Sequence, residues 1–487
     1  MSQTTDRAVV PASRLAALVA GFDTAPAYAG LAEALTEAIG DGRIGRDARL
    51  PSERDLTAAL GVSRTTVTRA YALLRETGYA EARQGSGTFT RLPGSAGRSR
   101  DRTLMPHPDE GLIDLTCAAA TAPPGLLATV AEAVGDLPAC LGDHGYFPAG
   151  LPALQAAIAA GFAERGLPTD PEQIIVTPGA LSAAAIVARA LTRRGARFLV
   201  ESPVYPNATE AIRHAGARLV ASPVDPEGWD LPALGATLQQ VRPALAYLIP
   251  DFQNPTGHLM DDADRAELAH RLATAGTRAV VDESHQALAL DGQPMPLPFA
   301  AHAPGTVTLG SASKSFWGGL RLGWIRAPHD LLPALTDARL SLDLGAPVLE
   351  QLVLTRLLER GQVFPDHVAR LREQRDALLG ALAERLPEAR FVPPGGGLAV
   401  WCRLPAARAT ALAAEAERRG VAIAPGPLFA VDGGLDRFVR IPWSRPADEL
   451  VLAVDRLAAA WEVVGRSSGP EPRRRGRAAG SGRVLVA

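Results

Sequence analysis

With 487 residues, 47% of them hydrophobic and 21% charged, the chain has a globular composition and is too long for one ordinary core. A net charge of −2 excludes a global basic field, so any nucleic-acid site has to be local. Three widely spaced cysteines, Cys117, Cys140 and Cys402, make neither a disulfide framework nor a metal cluster and fit a reducing interior. The N-terminal MSQTTDRAVVPASR lacks a signal-type apolar core, and the most apolar uncharged run, LTCAAATAPPGLLATVA, is broken by Pro123-Pro124. A soluble cytoplasmic protein without a membrane span or a metal is expected.

In chain order, LAEALTEAI places Leu31, Leu35 and Ile39 on one helical stripe. In LPSERDLTAALGVS, Ser52 and Asp55 are spaced as a capping pair that opens a second helix, and Gly61 ends it. Ser63 then caps a third helix, RTTVTRAYALLRET, with Val67, Ala70, Tyr71 and Leu74 inward and Arg64, Thr65, Thr68 and Arg69 outward. Gly78 closes that helix, and YAEAR and GTFTR flank a Gly85-Ser86-Gly87 turn. Three helices and a β-wing predict a winged helix-turn-helix, whose outward residues suit phosphates and base edges. On pattern alone, a small structural helical module remains the alternative. The run LPSERDL, GVSRTTVTRAYALL, GY…RQGSGTF closely resembles the DNA-binding domain of the GntR family of bacterial repressors. That resemblance implies DNA contacts from Arg54, Ser63, Arg64, Thr65, Thr66 and the wing residues Gly85, Ser86 and Gly87.

The predicted domains are a DNA-binding domain at 1–93, a linker at 94–111, a large domain at 112–465 and a basic tail at 466–487. The linker is rich in Gly, Ser, Arg and Pro without periodicity, and the tail is of low complexity. Within the large domain IIVT, RFLVE, RLVASP, LAYLIP, RAVVDE and TVTLGS read as strands separated by Ala/Leu-rich helices. That alternation predicts an α/β fold with a mostly parallel central sheet, whose ligands sit beyond the C-terminal strand ends.

Lys314 is the only lysine among 50 Lys and Arg residues. Arginine supplies charge as well as lysine does, but it cannot offer a neutral amine to a carbonyl, and the Schiff-base chemistry of pyridoxal phosphate (PLP) needs one. The other strand ends offer what PLP needs. Gly179-Ala180-Leu181 opens a helix and makes a cradle of N–H groups for a phosphate. Tyr205 presents either a stacking ring or a core side chain, Asn254 in DFQNPTG a fixed polar donor, and Asp282 a carboxylate for a pyridine nitrogen. Ser311, Ser313 and Arg321 flank Lys314 with hydroxyls and a cation.

In this order, these residues resemble fold-type I PLP-dependent aminotransferases from Leu112 to about Val464. The resemblance implies that Lys314 forms the Schiff base and that Asp282 pairs with the ring nitrogen. Asn254 would bond the ring oxygen, Tyr205 would stack, and Gly179, Ala180, Leu181, Ser311, Ser313 and Arg321 would surround the phosphate. Tyr146 in GYFPAG resembles a tyrosine that reaches the phosphate from a partner subunit, which implies a homodimer. Arg440 in RFVRIPW stands where the family clamps a carboxylate. The sequence departs from the family in two places: the usual tyrosine three residues after the aspartate is His285, which leaves either His285 or Ser284 as the donor to the ring oxygen, and the GYFPAG motif that carries Tyr146 is one residue shorter than the commoner spacing. A GntR-like head joined to an aminotransferase-like domain resembles the MocR/GabR group of regulators. It implies a transcription factor that binds operator DNA and senses an amine, amino acid or vitamin B6 vitamer through PLP. An active aminotransferase carrying a DNA-binding domain is the alternative.

Overall fold

The computed structural model describes residues 10–40, 44, 48–83, 86–91, 112–361 and 364–465. Gly85 and the expected linker and tail lie outside the described residues.

The first unit contains α1 (Ala12–Leu18), α2 (Ala27–Gly40), α3 (Glu53–Leu60) and α4 (Arg64–Glu76), then β1 (Ala80–Arg83) and β2 (Gly87–Thr90). Ser52 Oγ accepts from Asp55 N at 3.2 Å and donates to Asp55 Oδ2 at 2.7 Å, so the predicted cap opens α3. Gly61 ends that helix in the left-handed region at φ +67°, where a Cβ would be strained. Ser63 Oγ accepts from Thr66 N at 3.1 Å and opens α4. The inward face of α4 is as the spacing predicts: Val67, Ala70, Tyr71 and Leu74 are buried against Leu31, Leu35 and Leu56. The Tyr71 hydroxyl donates to the Pro51 carbonyl and ties α4 to the segment before α3. The wing is antiparallel, with Ala80 opposite Thr90 and Arg83 opposite Gly87. Helix α1, which the sequence reading did not include, places Leu15 in the same core.

The remaining strands are β3 (Ile113–Leu115), β4 (Ile174–Thr177), β5 (Arg197–Ser202), β6 (Arg218–Asp225), β7 (Gly228–Trp229), β8 (Leu245–Leu248), β9 (Arg278–Asp282), β10 (Val307–Ser311), β11 (Gly323–Arg326), β12 (Ala399–Arg403), β13 (Val421–Pro425) and β14 (Phe438–Pro442). All six predicted strands enter one sheet of eight, in the order β4-β11-β10-β9-β8-β5-β6-β7. β6, β5, β8, β9 and β10 run parallel, whereas β11 lies antiparallel between β4 and β10. The sheet is buried on both sides, with Val200, Val280 and Leu309 against Ile186 and Val187 on one face. Leu199, Leu248 and Val281 meet Leu268 and Leu272 on the other. Burial of both faces accounts for the unbroken apolar runs in these strands. A second sheet, β12-β14-β13-β3, was not anticipated; it joins the strand after the linker segment to the C-terminal part of the chain. No helix among the described residues is long and apolar enough to cross a membrane.

Candidate cofactor site and DNA-facing surface

The ends of β4, β8, β9 and β10 bring the predicted residues to one side of the large sheet. Gly179 adopts φ +97° at the start of the helix Ala180–Leu191, so that helix presents unpaired N–H groups and its positive dipole end. Arg321 Nη2 donates to the Pro178 carbonyl at 3.2 Å, and a Cβ added to Gly179 would lie 2.9 Å from that nitrogen. The backbone angle favours glycine here, and a larger residue would also have to push the Arg321 guanidinium aside. Ser311 Oγ accepts from Ser313 N at 3.1 Å at the start of the helical turn that carries Lys314. A helix N-terminus, a cation and two hydroxyl side chains together form an anion cradle. Leu181 is partly exposed, so its backbone is the part available to this cradle.

Lys314 Nζ donates to the Ala118 carbonyl at 2.8 Å. Burial above all, with Arg440 and Arg321 and against Cys117 and Asp282, pushes this amine down to about 8. Arg440, on β14, is fully buried, and its guanidinium donates to the Thr116 carbonyl and, at 3.2 Å, to Asn254 Oδ1. It lies 5.0 Å over the Phe429 ring, and its Nε has no hydrogen-bond partner among the described residues. Burial pushes its pKa down to about 10. Thr116, Cys117 and Ala118, just after β3, thus give three successive carbonyls to Arg440, to Ser444 Oγ and to Lys314.

Asp282 ends β9 and is buried; Tyr247 Oη donates to its Oδ2 at 2.6 Å and Ser284 N to its Oδ1 at 2.9 Å. Tyr247 on β8 was missed by the sequence reading, because a tyrosine inside an apolar strand looks like core. Glu201, at the end of β5, was missed as well. Burial raises it to about 7, against bonds from Gln253, Trp229 and the Ile249 N–H. Tyr205 precedes the helix Pro206–His214 and its hydroxyl accepts from Asn207 Nδ2 at 3.0 Å. Burial raises its pKa, and Asp282, Arg440 and Cys117 are the charged and titratable groups around it. Asn254 has its oxygen engaged by Arg440, so its amide NH2 is the part that can donate.

His285 is buried, with Nδ1 3.2 Å from the Phe252 carbonyl and Nε2 without a partner among the described residues. Burial, reinforced by Lys314, lowers its pKa to about 3, so the ring is neutral. A neutral ring that donates from Nδ1 carries a lone pair on Nε2. That makes Nε2 an acceptor, unlike the hydroxyl of the tyrosine expected at this position. Tyr146 is 57% exposed and stacks on His144 with ring centroids 5.6 Å apart; its ring is not gathered into this cluster.

On the first unit, Arg54, Ser63, Arg64 and Thr65 are exposed around the start of α4. Ser63 Oγ lies 2.8 Å from Thr66 Oγ1. Thr68 Oγ1 donates to Glu53 at 2.7 Å, and Arg69 lies 3.7 Å over the Tyr28 ring, so both of these outward residues are engaged within the unit. Ser86 and Gly87 are exposed in the wing, with Ser86 N donating to the Arg83 carbonyl.

The anion cradle, the down-shifted amine and the buried carboxylate fit PLP and define a PLP-dependent aminotransferase-type domain behind a winged helix. Two family matches agree: Aminotransferase class I and II over residues 119–457, and Bacterial regulatory proteins, gntR family, over residues 27–90. The chain is 31% identical over 392 residues to the probable rhizopine catabolism regulatory protein MocR of Rhizobium meliloti, covering 74% of this chain and 78% of that one. It is 27% identical over 449 residues to the uncharacterized HTH-type transcriptional regulator YdfD of Bacillus subtilis, covering 86% and 92%. Among solved structures, LysN, the alpha-aminoadipate aminotransferase of Thermus thermophilus, matches with TM-score 0.67 and 31% identity, over 76% of this chain and 97% of that one. The chain belongs to the class I and II aminotransferase family and, with its GntR-family head, is a DNA-binding transcriptional regulator of the MocR type with PLP as cofactor.

Proposed function

We propose that this regulator senses a small amine or amino acid through PLP held on Lys314 and reports it to operator DNA. The observation that carries the reading is the Thr116–Ala118 segment, whose carbonyls engage Arg440 at one end and Lys314 at the other. A compact ligand with an amino group and a carboxylate matches that span, the amino end facing Lys314 and the carboxylate facing the buried guanidinium. A vitamin B6 vitamer, which shares the Lys314 end of the site, is a second class of signal.

Lys314 supplies the amine that bonds the cofactor. Gly179, Ala180 and Leu181 would offer backbone N–H groups to its phosphate, with Ser311, Ser313 and Arg321 around it. Asp282, held by Tyr247, would pair with the ring nitrogen; Tyr205 would stack, and the Asn254 amide would donate to the ring oxygen, a role His285 cannot share while its Nδ1 donates to the Phe252 carbonyl. PLP, when bound, supplies an electrophilic carbonyl carbon and an electron-withdrawing ring. The chain acts as a homodimer in which Tyr146 of one protomer completes the phosphate site of the other, and the dimer reads paired half-sites. Arg54, Ser63, Arg64, Thr65, Thr66 and the wing contact the DNA, residues 94–111 tether the two domains, and the protein works in the cytoplasm at the nucleoid.

The test is the visible absorption of PLP-loaded protein as L-2-aminoadipate, other amino acids and polyamines are added, with DNA affinity followed in parallel. A persistent spectral change that alters DNA affinity without release of a keto acid supports sensing. Steady keto-acid release with unchanged DNA affinity overturns it in favour of an enzyme.

A further inference from the structure

Glu33 lies on α2, which packs along α4. Its Oε1 accepts from Arg408 Nη2 at 2.7 Å, and Arg408 is the residue just before the helix Ala409–Arg418 of the large domain. Tyr79, which follows the Gly78 turn at the end of α4, is buried, and Asp436 and Arg408 are the charged groups that its hydroxyl feels. The recognition helix thus reaches the large domain through its packing partner, and the residue that follows its C-terminal turn lies in the field of Asp436 and Arg408.

The corner that receives these residues is rigid. Asp436 accepts from Ala409 N through its carbonyl and from Thr410 N through Oδ1, each at 2.7 Å. The Arg437 carbonyl accepts from Leu404 N at 2.7 Å. β14 starts at the next residue, Phe438, and its third residue is Arg440, registered between Trp401 and Ala424. One short strand therefore runs from the head-docking corner to the guanidinium that closes the ligand site.

We propose that Glu33, Tyr79 and the Arg408–Asp436 corner form an interdomain latch, with β14 as the lever by which the state of the ligand site sets the orientation of the DNA-reading helix. This inference rests on the sensing role proposed above. The latch orients the head without covering its reading face, because Arg54, Ser63, Arg64 and Thr65 stay exposed. The Glu33–Arg408 pair is partly exposed, at 38% and 19%. A pair so placed is weak and reversible, as a switch contact has to be.

Hydrogen exchange on the full-length protein tests the latch with PLP alone as probe, without DNA or an amino acid. The variants are Glu33→Arg, Arg408→Glu and the double exchange, with Glu33→Gln as a milder form that keeps the side-chain shape. In each single variant the amides of 27–40 and 438–442 are expected to exchange severalfold faster, while α3 and the core of α4 keep their protection. The double variant restores the wild-type rates. Loading with PLP changes protection of 27–40 in the wild type and the double variant but not in the singles. Unchanged exchange in the singles, or no rescue in the double, overturns the latch. Singles that loosen while PLP leaves 27–40 unaltered in every form overturn the lever. A wild type whose DNA affinity ignores PLP and amino acids would instead sink the sensing role, a result read by a separate assay.

Discussion

Arginine serves opposite purposes in the two halves of the molecule. Arg64, at the start of α4, has a side chain 77% exposed and only a 3.9 Å approach to Glu53. Arg440, on β14, is fully buried among a carbonyl, an amide oxygen and an aromatic face, and among the described residues no carboxylate forms an ion pair with it. The first stays hydrated and mobile, which suits a polyanion recognised at ordinary salt through counterion release. The second is dry and fixed, which suits one small anion delivered in one orientation. On the proposed function, the head would meet a polyanion with hydrated charge, whereas the large domain would hold one small ligand by its shape. Lys314 would stand apart from both, since that function needs its neutral amine.

The largest effect should come from breaking that third role. Lys314→Arg keeps the charge yet removes the amine, and the protein should lose all covalently bound PLP, read as loss of the visible band after dialysis. In the wild type, capture of added PLP by the apo-protein should speed up as pH rises and level off above about 8, the value to which burial pushes the amine. The sign follows from the chemistry: a lowered pKa leaves more neutral nucleophile at a given pH. A rate still climbing towards the ordinary lysine range, about 10.4, would contradict that environment.

Next in size is Arg440→Ala. Removing one partner of a buried charged contact commonly costs about 2–5 kcal/mol, so carboxylate-bearing ligands should weaken at least about thirtyfold while amines without a carboxylate are unaffected. Titration of the absorption change with an amino acid and with its decarboxylated amine separates the two. Equal losses for both would mean that Arg440 supports the site without clamping a carboxylate.

The head and the parallel strands were legible in the sequence because their signals are local. Caps at Ser52 and Ser63, glycines at Gly61 and Gly78, and the α4 stripe each act within one turn. The second sheet was not legible, since β3 pairs with β13 across most of the chain and each strand is short. Glycine at the head of β11 hid another antiparallel neighbour. At the site, Lys314, Asp282 and Gly179 stood out because each lies at or just past the end of a strand. Tyr247 did not, because its role exists only through a carboxylate on the neighbouring strand. The sequence also marked His285 as a departure but could not assign its hydrogens. That needed the Phe252 carbonyl, which occupies Nδ1.

Arg64→Ala should come third. Loss of one DNA contact costs about 1–3 kcal/mol if it reads a base, or lowers the salt slope by about one if it meets a phosphate. Binding isotherms across a salt series distinguish the two, and the PLP spectrum should not change. Operator affinity and slope both unaltered would remove Arg64 from the interface.

The smallest expected effect tests how finely the dry half is built. Tyr247→Phe deletes one hydroxyl and keeps the ring, so packing between β8 and its neighbours survives. Asp282 then retains only the Ser284 N–H, and its Oδ2, buried at the end of β9, loses its donor. A buried carboxylate that has lost one of its donors holds its orientation less firmly. It should then pair less well with a ring nitrogen. Retention of PLP during dialysis should fall a fewfold, with thermal stability almost unchanged. An equivalent change on the head, Thr68→Val, also deletes one hydroxyl bonded to a carboxylate, that of Glu53. Water can replace it there, so no comparable loss of DNA affinity is expected. If Tyr247→Phe proved equally silent, Asp282 would be positioned by its backbone turn alone.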